Sequence, residues 1–157
     1  MTKNIVMSYK VFNLFLVENK ILIILLRIFL SLVLLFSFIG KLLTFSSFVT
    51  QIDSIIHLPS WLLFSTALIV LSIELLISIS LITGKYLLHS SLLSALLLSI
   101  FTLVMVNQII LEKIPNDCGC FGTLISTPVN EVFFVRNGIF IVISIIIFYS
   151  ECERSSL

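Results

Sequence analysis

Four long apolar runs, each interrupted by at most a few polar residues, divide the chain at about 21–43, 61–83, 87–111 and 132–150. Each is near or above the twenty or so residues a helix needs to cross the hydrocarbon core of a bilayer, so each predicts a membrane span. Between the first two runs the pattern changes. Phe45, Phe48, Ile52 and Ile56 recur at helical spacing, while Ser46, Ser47, Gln51, Asp53 and Ser54 take the opposite side. That alternation predicts a short helix lying along the membrane surface. Pro59 and Ser60 then supply a break and a start, and Trp61 stands where an interfacial aromatic belongs. Gly84-Lys85-Tyr86 is long enough only for a tight turn, which makes the second and third spans antiparallel neighbours.

The predicted fold is an all-α integral membrane protein, a four-helix bundle with an interfacial helix between spans one and two, forming a single membrane domain over 1–157. Composition agrees: of 157 residues 59% are hydrophobic and 11% charged, and mean hydropathy is +1.25. Soluble domains carry about 25% charged residues. The net charge of +1 says nothing about nucleic acid and no basic run suggests it, so no nucleic acid is expected as a partner and the lipid bilayer is the first one. Residues 1–20 contain an apolar patch too short to span, and no removable signal peptide is read there.

Lys and Arg accumulate on the cytoplasmic side of membrane spans. Lys3, Lys10, Lys20, Arg27, Lys85 and Arg154 fall on one side of the predicted bundle, and Lys41, Lys113 and Arg136 on the other. Both termini are therefore expected in the cytoplasm of a bacterium, with the protein in its inner (plasma) membrane. The loop 112–131 is then extracytoplasmic.

That loop holds the most reactive residues of the chain, Cys118-Gly119-Cys120-Phe121-Gly122. Bridging two thiols one residue apart requires a sharp reversal, which Gly119 eases. Such a small ring stabilises weakly, by about 1.6 kcal/mol against about 3 for a fifteen-residue loop in the chain-entropy model. An exposed, strained bridge is readily reduced, so reactivity favours thiol-disulfide exchange over a structural staple. A metal needs three or four ligands, and only Asp117 and His57 stand ready to join the sulfurs, so none is assigned. Cys152 is the odd cysteine and falls on the opposite side.

Charged groups inside spans are costly and face partners or cavities. Counting from the span ends puts Arg27 and Glu74 within about 5 Å in depth, which predicts an intramembrane pair. Arg136 and Lys41 fall near the cysteine side, where a cation favours thiolate; snorkelling to the headgroups is the alternative for Arg136. Asn107, Gln108 and Asn137 suit hydrogen bonds between helices or to the loop. His57 and His89 read as surface residues.

Arg27 with Gly40-Lys41, the 45–59 surface segment, Glu74-Leu75-Leu76, Leu81-Ile82-Thr83-Gly84, Cys118-Gly119-Cys120-Phe121-Gly122 and Arg136-Asn137 together resemble the MauE family, methylamine utilisation membrane proteins related to DoxX. The likeness spans about 21–149. It implies a four-helix membrane protein that works with a thioredoxin-like extracytoplasmic partner to form disulfides in an exported client, the small subunit of methylamine dehydrogenase in the namesake system. By that resemblance Cys118 and Cys120 are the exchange pair, with Gly119, Phe121, Gly122, Arg136 and Asn137 supporting, in a redox component rather than a classical enzyme. No cofactor motif is evident; the oxidising direction would need a two-electron acceptor such as a quinone. Two other readings are a non-catalytic assembly or stability factor and a small carrier using Arg27 and Glu74.

Overall fold

The computed structural model describes residues 20–56, 59–110 and 131–155. Within them the chain forms five helices: α1 (Lys20–Leu43), α2 (Phe45–Ile56), α3 (Ser60–Thr83), α4 (Leu87–Ile110) and α5 (Glu131–Ser155). No strand occurs among the described residues. Helices α1, α3, α4 and most of α5 are long and apolar enough to cross a membrane. The four spans and the short helix between the first two are as the hydrophobic pattern predicts. The fourth helix of the bundle runs beyond the expected span end at 150, because Glu151 to Ser155 continue α5; Arg154 pairs with Glu151 one turn earlier at 3.2 Å.

The bundle is built from two close antiparallel pairs, α1 with α3 and α4 with α5, set side by side through α3 against α4 and α1 against α5. Serines mark the seams. Ser31 and Ser78 lie 3.0 Å apart hydroxyl to hydroxyl, each also hydrogen-bonded to the other's backbone carbonyl at 3.0 Å or less, and both are fully buried. Ser94 donates to Ser144 at 3.0 Å across the second pair. Small side chains allow close helix approach where burial of apolar surface gives no net drive, since lipid is as apolar as leucine. The large residues accordingly point outward: Ile21, Leu25, Phe36, Leu76, Leu103 and Ile110 are each more than half exposed.

Apolar packing completes the interior. Leu30, Leu34, Ile77, Leu81, Leu98 and Ile147 fill the middle of the bundle, while Phe48 and Ile52 of α2 seat against Leu63, Ala67 and Leu71 of α3. Helical bonding runs from α1 into α2 through Thr44, whose N–H and hydroxyl both donate to the Gly40 carbonyl. The opposite sides of α2 differ as expected, with Ser46, Asp53 and Ser54 exposed; Ile56, at its end, is half exposed rather than part of the buried stripe.

The α3–α4 turn is set by Gly84, which adopts φ 77° and donates to the Ser80 carbonyl at 3.0 Å, a left-handed helix end that favours glycine. Because the pairs are antiparallel, the C-terminal ends of α1 and α4 and the N-terminal ends of α3 and α5 share one end of the bundle. The interfacial helix α2 and the termini flanking 111–130 are therefore at the same end.

Candidate functional site

The antiparallel register of α1 and α3 decides which polar groups meet. Arg27 is level with Leu81, Ser31 with Ser78 and Ser37 with Glu74. Side chains on a helix lean toward its N-terminus. Arg27 therefore leans away from Glu74, which lies seven residues or about 10 Å from Leu81 toward the N-terminus of α3. Its Nε and Nη2 donate to the Leu81 carbonyl at 3.2 and 3.0 Å. Leu81 is in the last turn of α3, where carbonyls lack helical partners and a cation is favoured.

Lys41, one turn beyond Ser37, leans back to reach Glu74. Its Nζ forms an ion pair and hydrogen bond with Glu74 Oε1 and donates to Ser37 Oγ at 3.0 Å; Ser37 Oγ in turn approaches Oε1 at 3.3 Å. Lys41 and Glu74 are both 1% exposed, so the intramembrane charge pair is fully enclosed. The expected Arg27–Glu74 pair is thus corrected: Glu74 is an intramembrane partner, but of Lys41. Equal depth from the span ends does not bring the two together, because α1 and α3 are offset along their axes and Arg27 leans toward the N-terminus of α1. Lys41, read as a cation near the outer face, is a core residue flanked by aromatic rings, with Nζ 4.4 Å from the Phe101 centroid and 5.4 Å from that of Phe48.

Glu74 Oε2 has no hydrogen-bond partner among the described residues. Beside Glu74 a cavity of about 20 Å³ is lined by Ser37, Arg136, Asn137 and apolar groups including Phe101 and Phe140. That volume accommodates about one water molecule. Arg136 is half-buried, its guanidinium carbon 5.7 Å from the Phe133 ring centroid. Asn137 is buried and donates to Thr102 Oγ1 of α4 at 3.2 Å, the interhelical role its position suggested. Gln108 is buried as well, whereas Asn107 and His89 are exposed.

The first turns of α5 therefore bring Arg136 and Asn137 to the polar centre that Ser37, Lys41 and Glu74 build between α1 and α3. Cys118, Gly119, Cys120, Phe121 and Gly122 lie outside the described residues, as do His57 and Asp117. Cys152 is exposed near the far end of α5, about 30 Å along the axis from Glu131. The burial of Lys41 and the two serine seams were not singled out from sequence. The available signal was small polar residues repeated on one face of otherwise apolar helices.

Residues 19–150 match the family model described as Methylamine utilisation protein MauE. No curated protein and no solved structure matches the chain.

Proposed function

The chain belongs to the MauE family, and from that premise we propose that it assists disulfide formation or redox maturation of an exported protein through a Cys118/Cys120 thiol pair. The observation that carries the reading is the Cys118-Gly119-Cys120-Phe121-Gly122 string, inside the family match and between two spans of a multi-pass membrane protein. Thiolate attack on a disulfide forms a mixed disulfide that the neighbouring thiol resolves, and two cysteines one residue apart suit both steps. The partner is a thioredoxin-like extracytoplasmic protein, and the client is an exported one, methylamine dehydrogenase small subunit being the client that the family resemblance implies. The protein sits in the bacterial inner membrane with both termini cytoplasmic.

Support for the site comes from its neighbours. Arg136 and Asn137 stand at the end of the bundle from which 111–130 departs and returns, and Asn137 fixes the first turns of α5 to α4. The carrier reading, which relied on Arg27 acting with Glu74, loses its paired site because Arg27 serves the end of α3.

Trapping tests the proposal. In Cys120→Ser protein the mixed disulfide on Cys118 should persist and be recovered as a covalent adduct; the reverse variant tests which thiol attacks. If neither variant captures a partner and both sustain client maturation, the exchange role is wrong.

A further inference from the structure

Between the C-terminal half of α3 and the N-terminal half of α4 lies a groove of about 560 Å³. Ile73, Leu76 and Ile79 wall it on one side and Leu93 on the other, and all four are exposed, so it opens toward the lipid rather than into the bundle. Its polar groups gather at one end, where Thr83, Lys85, Tyr86 and His89 surround the turn. From Ile73 to Thr83 is about 15 Å of helix. That is half of the ~30 Å hydrocarbon core, so the apolar length of the groove matches one leaflet and its polar end meets the headgroups.

The polar end suits an anion. The side chains of Lys85 and His89 are exposed and make no hydrogen bond among the described residues, and no acidic residue lines the groove. The first N–H groups of α4, beginning at Leu87, lack helical partners and favour negative charge. The opposing negative end of α3 is already answered, by Arg27 on the Leu81 carbonyl and by the Gly84 N–H on that of Ser80. Tyr86 holds φ 56°, a left-handed conformation costly for a bulky residue, and is 80% exposed. It adds a phenolic donor at the depth where tyrosine meets headgroups.

A free phosphate would use the polar end and leave the apolar length bare. A lipid with a neutral headgroup would fill the groove and leave the lysine uncomplemented. Only an anionic lipid uses both, and basic pockets between membrane helices are where such headgroups bind. We propose that the α3–α4 groove binds one anionic glycerophospholipid, with an acyl chain between Ile73 and Leu93 and the phosphate at Lys85 and His89. The site is at the other end of the bundle from the segment 111–130 and is independent of the thiol chemistry.

Native mass spectrometry of full-length protein in detergent, titrated with dioleoyl phosphatidylglycerol or dioleoyl phosphatidylcholine, tests the site. One phosphatidylglycerol should bind at a concentration lower by about fivefold, the worth of one lysine near anionic lipid. Lys85→Gln with His89→Gln should abolish that preference and leave phosphatidylcholine binding unchanged, whereas Lys20→Gln with Arg154→Gln, at the same end on α1 and α5, should preserve it. Ile73→Trp and Leu93→Trp, which fill the groove from opposite walls, should each weaken phosphatidylglycerol binding in monodisperse protein. Inorganic phosphate in excess should not displace the lipid; displacement would mean an anion site without a lipid chain and overturns the proposal. Equal binding of the two lipids overturns it as well, as does a preference that survives loss of Lys85 and His89 or binding indifferent to both tryptophans.

Discussion

At the scale of single residues, Lys41 and Glu74 show why a charge inside a span must be read with its direction. Enclosed as they are, each is tolerable only because of the other. Lys41→Met should therefore destabilise the protein by about 3 kcal/mol, because it strands a buried carboxylate. Adding Glu74→Leu should recover most of that loss. Unfolding of the two single variants and the double variant in mixed micelles gives the coupling. Additive losses would mean that the two groups do not act as a pair.

Arg27 offers a second residue-level test, since it crowds Gly84, the glycine of the α3–α4 turn. A Cβ added at Gly84 would stand 2.6 Å from Arg27 Nη2, on a backbone already at φ 77°. Gly84→Ala should cost about 1–2 kcal/mol for the left-handed backbone alone, with a further loss as the guanidinium is pushed off the Leu81 carbonyl. In an Arg27→Leu background only the backbone part should remain. A thermal-melt cycle over these four proteins measures the difference, and equal costs in both backgrounds would remove Arg27 from the account.

At the scale of elements, the hydrophobic pattern made the spans, the surface helix and the tight turn legible, because bilayer thickness and backbone hydrogen bonding leave few alternatives to a helix of that length. Pairing and register were not legible. They are set by small residues such as Ser31, Ser78, Ser94 and Ser144, which resemble scattered polar interruptions until the helices are side by side. The same gap explains the wrong partner for Glu74: depth counted from the ends of α1 and α3 does not include their offset. If the serine seams set the register, Ser78→Leu should force α1 and α3 apart and cost about 1–3 kcal/mol. Ser78→Ala, which keeps the close approach and loses the hydroxyl bond, should cost nearer 0.6 kcal/mol. A cysteine pair at positions 31 and 78, crosslinked in wild-type register, gives an independent check.

For the whole molecule, the burial of Lys41 sharpens the charge asymmetry on which orientation depends. Lysine counts toward topology when it meets water or lipid headgroups at a span end. Lys41 meets neither, being enclosed and paired with Glu74. Among the described residues, the end that carries α2 is left with Arg136, against Lys20, Arg27, Lys85 and Arg154 at the other. Cys152 belongs to the cation-rich end, a bilayer's thickness away from the α5 terminus that follows the Cys118 and Cys120 segment. A membrane-impermeant maleimide applied to intact spheroplasts after reduction should therefore label Cys118 and Cys120 and spare Cys152 until the membrane is permeabilised. Single-cysteine variants distinguish the three. Labelling of Cys152 from outside would invert the bundle, place the Cys118/Cys120 pair in the reducing compartment, and remove the exported client from the proposed function while leaving the Lys41–Glu74 core unchanged.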